Sequence, residues 1–227
     1  MVAHRGLSDI EPENTNASFI AAGNRSYFGI ETDIHRTKDG HFVVCHDDNL
    51  NRIAGVDINV EEADLADIQA VTLFDKDGTK DRIDLHPTTL ESYIKICKKY
   101  EKHSVLELKS EFTDEEIARI IEIIRAFDYL DNVTFISFKY DNLTKIRKIL
   151  PEQSAQFLFS KFSEEIFDKV VADKLDVDIC YVEVDKEIID RFHAVGITVN
   201  AWTVNDPALG EKLASWGIDY ITTNILE

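Results

Sequence analysis

Glu31 and Asp33 stand two apart in the stretch GIETDI, and Glu107 and Lys109 stand two apart in SVLELK. Successive side chains on a strand alternate, so each pair shares one face, while Ile30 and Ile34, or Leu106 and Leu108, take the other. His4-Arg5 in MVAHRG and His46-Asp47 in VVCHDD add two imidazoles and a guanidinium. Three carboxylates gathered at one place repel one another and lose solvation, at a cost of several kcal/mol each unless compensated. Lys109 neutralises one of them, and a divalent cation neutralises the rest most naturally. Oxygen-only ligands favour Mg²⁺, Ca²⁺ or Mn²⁺ over zinc. A divalent ion, an Arg–Lys pair and two histidines suit phosphoryl chemistry. The cations stabilise charge on the non-bridging oxygens, and imidazoles that titrate near neutrality serve as general base and general acid.

The elements that position these residues follow from periodicity. Eight strand-like stretches, VAHR, GIETDI, SVLELK, VTFISF, QFLFS, DICYV, TVNAW and DYITT, alternate with amphipathic helical stretches. Thr113 and Glu116 predict a capping box ahead of the apolar stripe in IARIIEIIRAF, Pro151 and Gly196 end helices, and Asp206-Pro207 starts one. Alternating β and α units with eight strands and no glycine-rich phosphate loop predict an α/β fold, a TIM-type (β/α)8 barrel over residues 1–227. Catalytic groups in such a barrel sit at the C-terminal ends of the strands, where all four polar clusters fall. Two interruptions stand out. The KDG turn after GIETDI predicts a hairpin over 37–42 that returns His46 or its neighbour opposite Asp33. Residues 48–87, with one short helical run, read as a small inserted subdomain after the second strand. Only NILE follows the last strand, so the final barrel helix is expected to be short or absent, leaving a flank that a second copy in a homo-oligomer could cover.

Taken singly, each feature is ordinary: Glu-x-Asp suits a solvated strand face, and Glu-x-Lys a surface ion pair. Their coincidence at one end of consecutive strands sets them apart. Trp202 and Phe138, at the ends of two later strands, either wall a substrate pocket or fill the barrel, and Glu183 is a lesser ligand candidate. His35 is read as alternating away from Asp33 and His103 as lying in a loop. With His41, His86 and His193, these are taken as structural or exposed.

Composition narrows the function. The 227 residues are 44% apolar and carry a formal charge of −18 with no basic cluster, which argues against nucleic-acid binding and against attraction to anionic membranes. No apolar run approaches the roughly 20 residues needed to span a bilayer. The three separated cysteines suit reduced thiols, and the chain opens directly on a strand, so a soluble cytoplasmic protein is expected.

The ordered motifs HRG, PENTNASF, GIETDIHRTKDGHFVVCHDDNLNR, HPTTLESY, LELK and NAWTVND resemble the glycerophosphodiester phosphodiesterases over nearly the whole chain. The resemblance implies a TIM-type barrel with a small insertion after the second strand, and Glu31, Asp33 and Glu107 as ligands of Mg²⁺ or Ca²⁺, with Mn²⁺ a third choice. It further implies His4 and His46 as the acid–base pair, Arg5 and Lys109 on phosphate, and Trp202 lining the pocket. The implied reaction is hydrolysis of a small glycerophosphodiester, such as glycerophosphocholine, to sn-glycerol 3-phosphate and an alcohol. Asp9 and Glu11 depart from the family's usual small residues and could favour a cationic alcohol. Two other readings stay open: a phosphodiesterase of the same barrel type acting on lysophospholipids, and a non-catalytic barrel binding phosphorylated ligands.

Overall fold

The computed structural model describes residues 1–227. In chain order its elements are β1 (Val2–Ala3), α1 (Asn16–Gly23), β2 (Gly29–Arg36), β3 (Phe42–Val44), α2 (Asn51–Ala54), α3 (Leu65–Gln69), α4 (Leu90–Lys99) and β4 (His103–Leu108). They continue as α5 (Asp114–Ala126), β5 (Val133–Ser137), α6 (Tyr140–Ile149), β6 (Ala155–Phe159), α7 (Glu164–Asp173), β7 (Asp176–Cys180), α8 (Lys186–Ala194), β8 (Val199–Trp202), α9 (Pro207–Ser215) and β9 (Tyr220–Thr223). All these strands except β3 pair in parallel, and β1 hydrogen-bonds both β2 and β9, so eight strands close into a barrel. β3 folds back antiparallel on β2, with Ile34 opposite Val44 and the Cys45 N–H on the Asp33 carbonyl. That register carries His46 to the strand end beside Asp33.

Helix signals translate directly. Thr113 and Glu116 form the reciprocal capping box of α5, and Asp206 caps α9 with Pro207 in its first turn. Apolar faces such as Ile117, Ile120, Ile121 and Ile124 of α5 pack on the outward side chains of the strands, Leu106 and Leu108 among them. Inside the barrel, Val2, Val105, Ile136 and Leu158 form a separate apolar plug, leaving the polar groups for the mouth. Between β3 and α4 the chain builds its own small cluster around Leu50, Val60, Ile68 and Leu85. Helix α2 there adds to the one short run expected, and KDGTKD is a turn without flanking strands.

Two strand boundaries differ from expectation. β1 stops at Ala3 rather than running through Arg5, because Arg5 and Gly6 take left-handed φ values of +54° and +79°. That turn brings the HRG segment against α1, where a Cβ on Gly6 would meet Ser18 Oγ at 2.4 Å. His103 opens β4 instead of lying in a loop, with Nε2 2.8 Å from Thr134 Oγ1.

Candidate active site

Glu31 and Asp33 point inward from β2 and Glu107 from β4, with Asp33 and Glu107 in register across the two strands. One carboxylate oxygen of each lies within 4.8 Å of the others, and all three side chains are buried. Lys109 Nζ is 3.0 Å from Glu107 and 3.6 Å from Asp33. Arg5 donates its backbone N–H to Glu31 Oε2 at 2.8 Å and brings its Nε to 3.5 Å from Asp33 Oδ2. That Nε is buried and makes no hydrogen bond.

These cations do not neutralise the cluster evenly. Burial pushes Asp33 up, but Arg5 and Lys109 overcome it and hold Asp33 below its ordinary value. Burial followed by repulsion from Asp33 and Glu107 drives Glu31 well above the usual carboxylate range, and burial followed by Asp33 raises Glu107 to about 8. A site that pushes two of its three carboxyls upward lacks positive charge. Three hard oxygen donors around a common point fit a divalent ion such as Mg²⁺ or Ca²⁺.

Both histidines face the same cavity as Glu31 and Glu107. His4 Nδ1 donates to Asn224 Oδ1 at 2.7 Å, a bond that leaves Nε2 as the unprotonated nitrogen. Burial, then the neighbouring Arg5 charge, lowers its pKa to about 4, so the ring is neutral at pH 7. His46 Nδ1 lies 2.7 Å from Asp47 Oδ1, and burial lowers its pKa less completely because Asp33 and Asp47 oppose the shift. Asp47 is held by Arg52 of α2, at 2.6 Å and 3.2 Å, and Arg52 in turn makes two bonds to Glu13, which returns to Arg5 at 2.9 Å. A chain of polar and charged groups thus joins His46 to the HRG turn, and α2 supplies its middle link.

Trp202 and Phe138 meet edge to face at the mouth, with ring centroids 5.5 Å apart, and Trp202 Nε1 donates to the Asp178 carbonyl. Glu183 lies outside the cluster and accepts from the Phe162 N–H. His35 requires a correction. It is two residues beyond Asp33, so it shares that face, where it is buried with Nε2 3.3 Å from the His46 carbonyl.

Sequence reasoning missed Asn14, Asn224 and Asp178. Asn14 donates to Asp33 Oδ2 at 2.9 Å and accepts from Thr32, which fixes the carboxylate's orientation. PENTNASF contains Asn14, but spacing gives no hint that it reaches β2. Nothing local marks Asn224, whereas Asp178 stands two beyond Asp176 in the strand DVDIC, the same spacing as Glu31 and Asp33.

Residues 4–227 match the sequence model of the Glycerophosphoryl diester phosphodiesterase family. A glycerophosphodiester phosphodiesterase from Caldanaerobacter subterraneus subsp. tengcongensis is 28% identical over 229 residues, covering 99% of this chain and 93% of its own. Among solved structures, an Oleispira antarctica phosphodiesterase in complex with the product sn-glycerol-3-phosphate is similar with a TM-score of 0.91 at 28% identity, over 98% of this chain and 92% of that one. A glycerophosphodiester phosphodiesterase from Thermotoga maritima gives a TM-score of 0.80 at 27% identity, over 98% of this chain and 93% of that one.

Proposed function

The chain belongs to the glycerophosphoryl diester phosphodiesterase family and is a phosphoric diester hydrolase, and from that premise we propose that it cleaves glycerophosphodiesters such as glycerophosphocholine to sn-glycerol 3-phosphate and an alcohol with a divalent ion bound. The observation that carries this reading is the buried Glu31–Asp33–Glu107 cluster, flanked by Arg5 and Lys109 and sharing one cavity with both histidines.

Glu31, Asp33 and Glu107 hold the ion, Mg²⁺ or Ca²⁺. When bound, it polarises the phosphoryl group and offsets charge developing on the non-bridging oxygens. Lys109 and Arg5, whose Nε makes no hydrogen bond, bind the phosphate oxygens. His4, neutral and with Nε2 open, takes the proton from the attacking hydroxyl, whether of water or of the substrate's own glycerol. His46 gives a proton to the departing alkoxide, since the Asp47 carboxylate is the partner that favours an imidazolium. Phe138 and Trp202 wall the organic part of the substrate. Residues 48–87 act as an inserted subdomain whose Arg52 fixes Asp47.

Purified protein with glycerophosphocholine and Mg²⁺ or Ca²⁺ is expected to release glycerol 3-phosphate, and chelation to abolish that release. No turnover of any glycerophosphodiester in a panel, with either ion, overturns the reading.

The raised carboxyls give a second test. A carboxyl whose folded pKa exceeds its unfolded value stabilises the fold fully below the unfolded value and loses that contribution as pH rises through the folded one. In chelator, stability is therefore expected to fall as pH climbs from the ordinary 4.5 of Glu107 toward its folded value of about 8. Ion binding needs the ionised form, so at pH 7 it should expel protons. Calorimetry in two buffers of different ionisation enthalpy measures this; ion uptake without proton release would show that the carboxylates were already ionised.

A further inference from the structure

Each of the eight barrel strands sends a residue, from within it or immediately past its end, into one narrow well of about 50 Å³ beneath the mouth. Glu31 and Glu107 border it on one side, the aliphatic Ile136 and Leu158 form part of its wall, and Trp202 stands over it. On β7 the inward residue is Asp178, only 1% exposed. Its Oδ1 is buried with no hydrogen-bond partner. The polar neighbours at this level are satisfied among themselves. Asn200, in register with Asp178, exchanges hydrogen bonds with Thr222 and reaches Gln156. Asp178 is left out of that network.

A buried carboxyl with no partner costs free energy, and an aliphatic side chain of similar size in a wall already lined by Ile136 and Leu158 would avoid that cost. Its partner is therefore sought in what enters the well. β7 lies diametrically across the closed barrel from β2, the strand of Glu31 and Asp33. A diester whose phosphate rests on Arg5 and Lys109 presents to β7 the end farthest from phosphorus. Burial, then the Glu107 charge, holds the Asp178 carboxyl well above the usual range. A carboxyl accepts a hydrogen bond from an alcohol hydroxyl and, when protonated, donates one to it, whereas a quaternary ammonium group carries no N–H to offer.

We propose that Asp178 is a specificity-determining residue that hydrogen-bonds the terminal hydroxyl of the substrate's glycerol moiety. This rests on the glycerophosphodiesterase reading above. The test compares kcat/KM for glycerophosphocholine with that for 2-hydroxypropyl phosphocholine, which keeps the secondary hydroxyl and lacks only the terminal one. The wild type is expected to prefer the former by about 10- to 100-fold, the worth of one buried hydrogen bond. D178L should collapse that preference to near unity. D178N, an amide of the same shape with donor and acceptor, should keep most of it. Since Leu removes an unpartnered polar group, D178L is also expected to melt no lower than the wild type; should it fail to fold, D178A gives the same ratio. A folded D178L or D178A that retains the wild-type preference overturns the assignment, as does a wild type that cleaves both compounds equally well. A wild type that cleaves neither refutes instead the reading on which it rests.

Discussion

Replacing Glu31 with glutamine is expected to cost on the order of a thousandfold in kcat/KM with the divalent ion present, while making the ion-free protein more stable. Both signs follow from one carboxylate. Glu31 is 3% exposed, and its Oε2 takes the Arg5 N–H at 2.8 Å. Its ionised form is opposed by burial and by the charges of Asp33 and Glu107, whose oxygens lie within 4.8 Å. Glutamine keeps the shape and the acceptor for Arg5 but removes the charge. Ion-free, the variant is spared the cost of burying an ionisable carboxyl; with ion, it lacks one of the three carboxylates proposed to bind it. A ligand that binds only the folded state stabilises it by about 2.7 kcal/mol at a hundred times its Kd, about 5–11 °C for a chain of this size. Thermal melts in chelator and in saturating Mg²⁺ or Ca²⁺ should show that rise for the wild type and little of it for E31Q. An undiminished rise in E31Q would remove Glu31 from the ion's ligands.

His46→Ala is expected to lower kcat by about 10²–10⁴-fold with glycerophosphocholine, the usual worth of a general acid or base. The fold should survive, because His46 is a third exposed at the rim. If His46 protonates the leaving oxygen, a diester that departs as p-nitrophenolate needs little such help. H46A should then lose far less on that substrate, whereas H4A should lose heavily on both, since the nucleophile's proton must still be taken. D47N removes the carboxylate that favours the imidazolium. The His46 pKa then falls, and the alkaline limb of the pH–rate profile moves to lower pH. H46A acting at near-normal rates on the choline diester, or equal losses on both substrates, would reassign the acid.

Much of this site is written locally. Glu31 with Asp33, and Glu107 with Lys109, declare a shared face through the two-residue period of a strand. β–α alternation then predicts a barrel whose strand ends converge, and both readings need only neighbouring residues. Two features depart from the simplest local reading. His35 obeys the same period as Asp33 and belongs on its face. VAHR looked like a strand through Arg5, but the close approach of α1 at Gly6 turns the chain two residues earlier.

The barrel and the acidic cluster at its mouth were legible along the chain, because strand alternation and capping are interactions between residues a few positions apart. Tertiary structure alone decided how those groups are tuned. Asn224 sets the His4 tautomer from 220 positions away, and Arg52 on α2, which holds Asp47, reaches Glu13 across 39. Asp178 shares a cavity with Glu31 only because closing the ring sets β7 opposite β2. Such pairings depend on barrel closure and on the packing of the segment between β3 and α4, and no spacing along the chain encodes a distance across a closed ring.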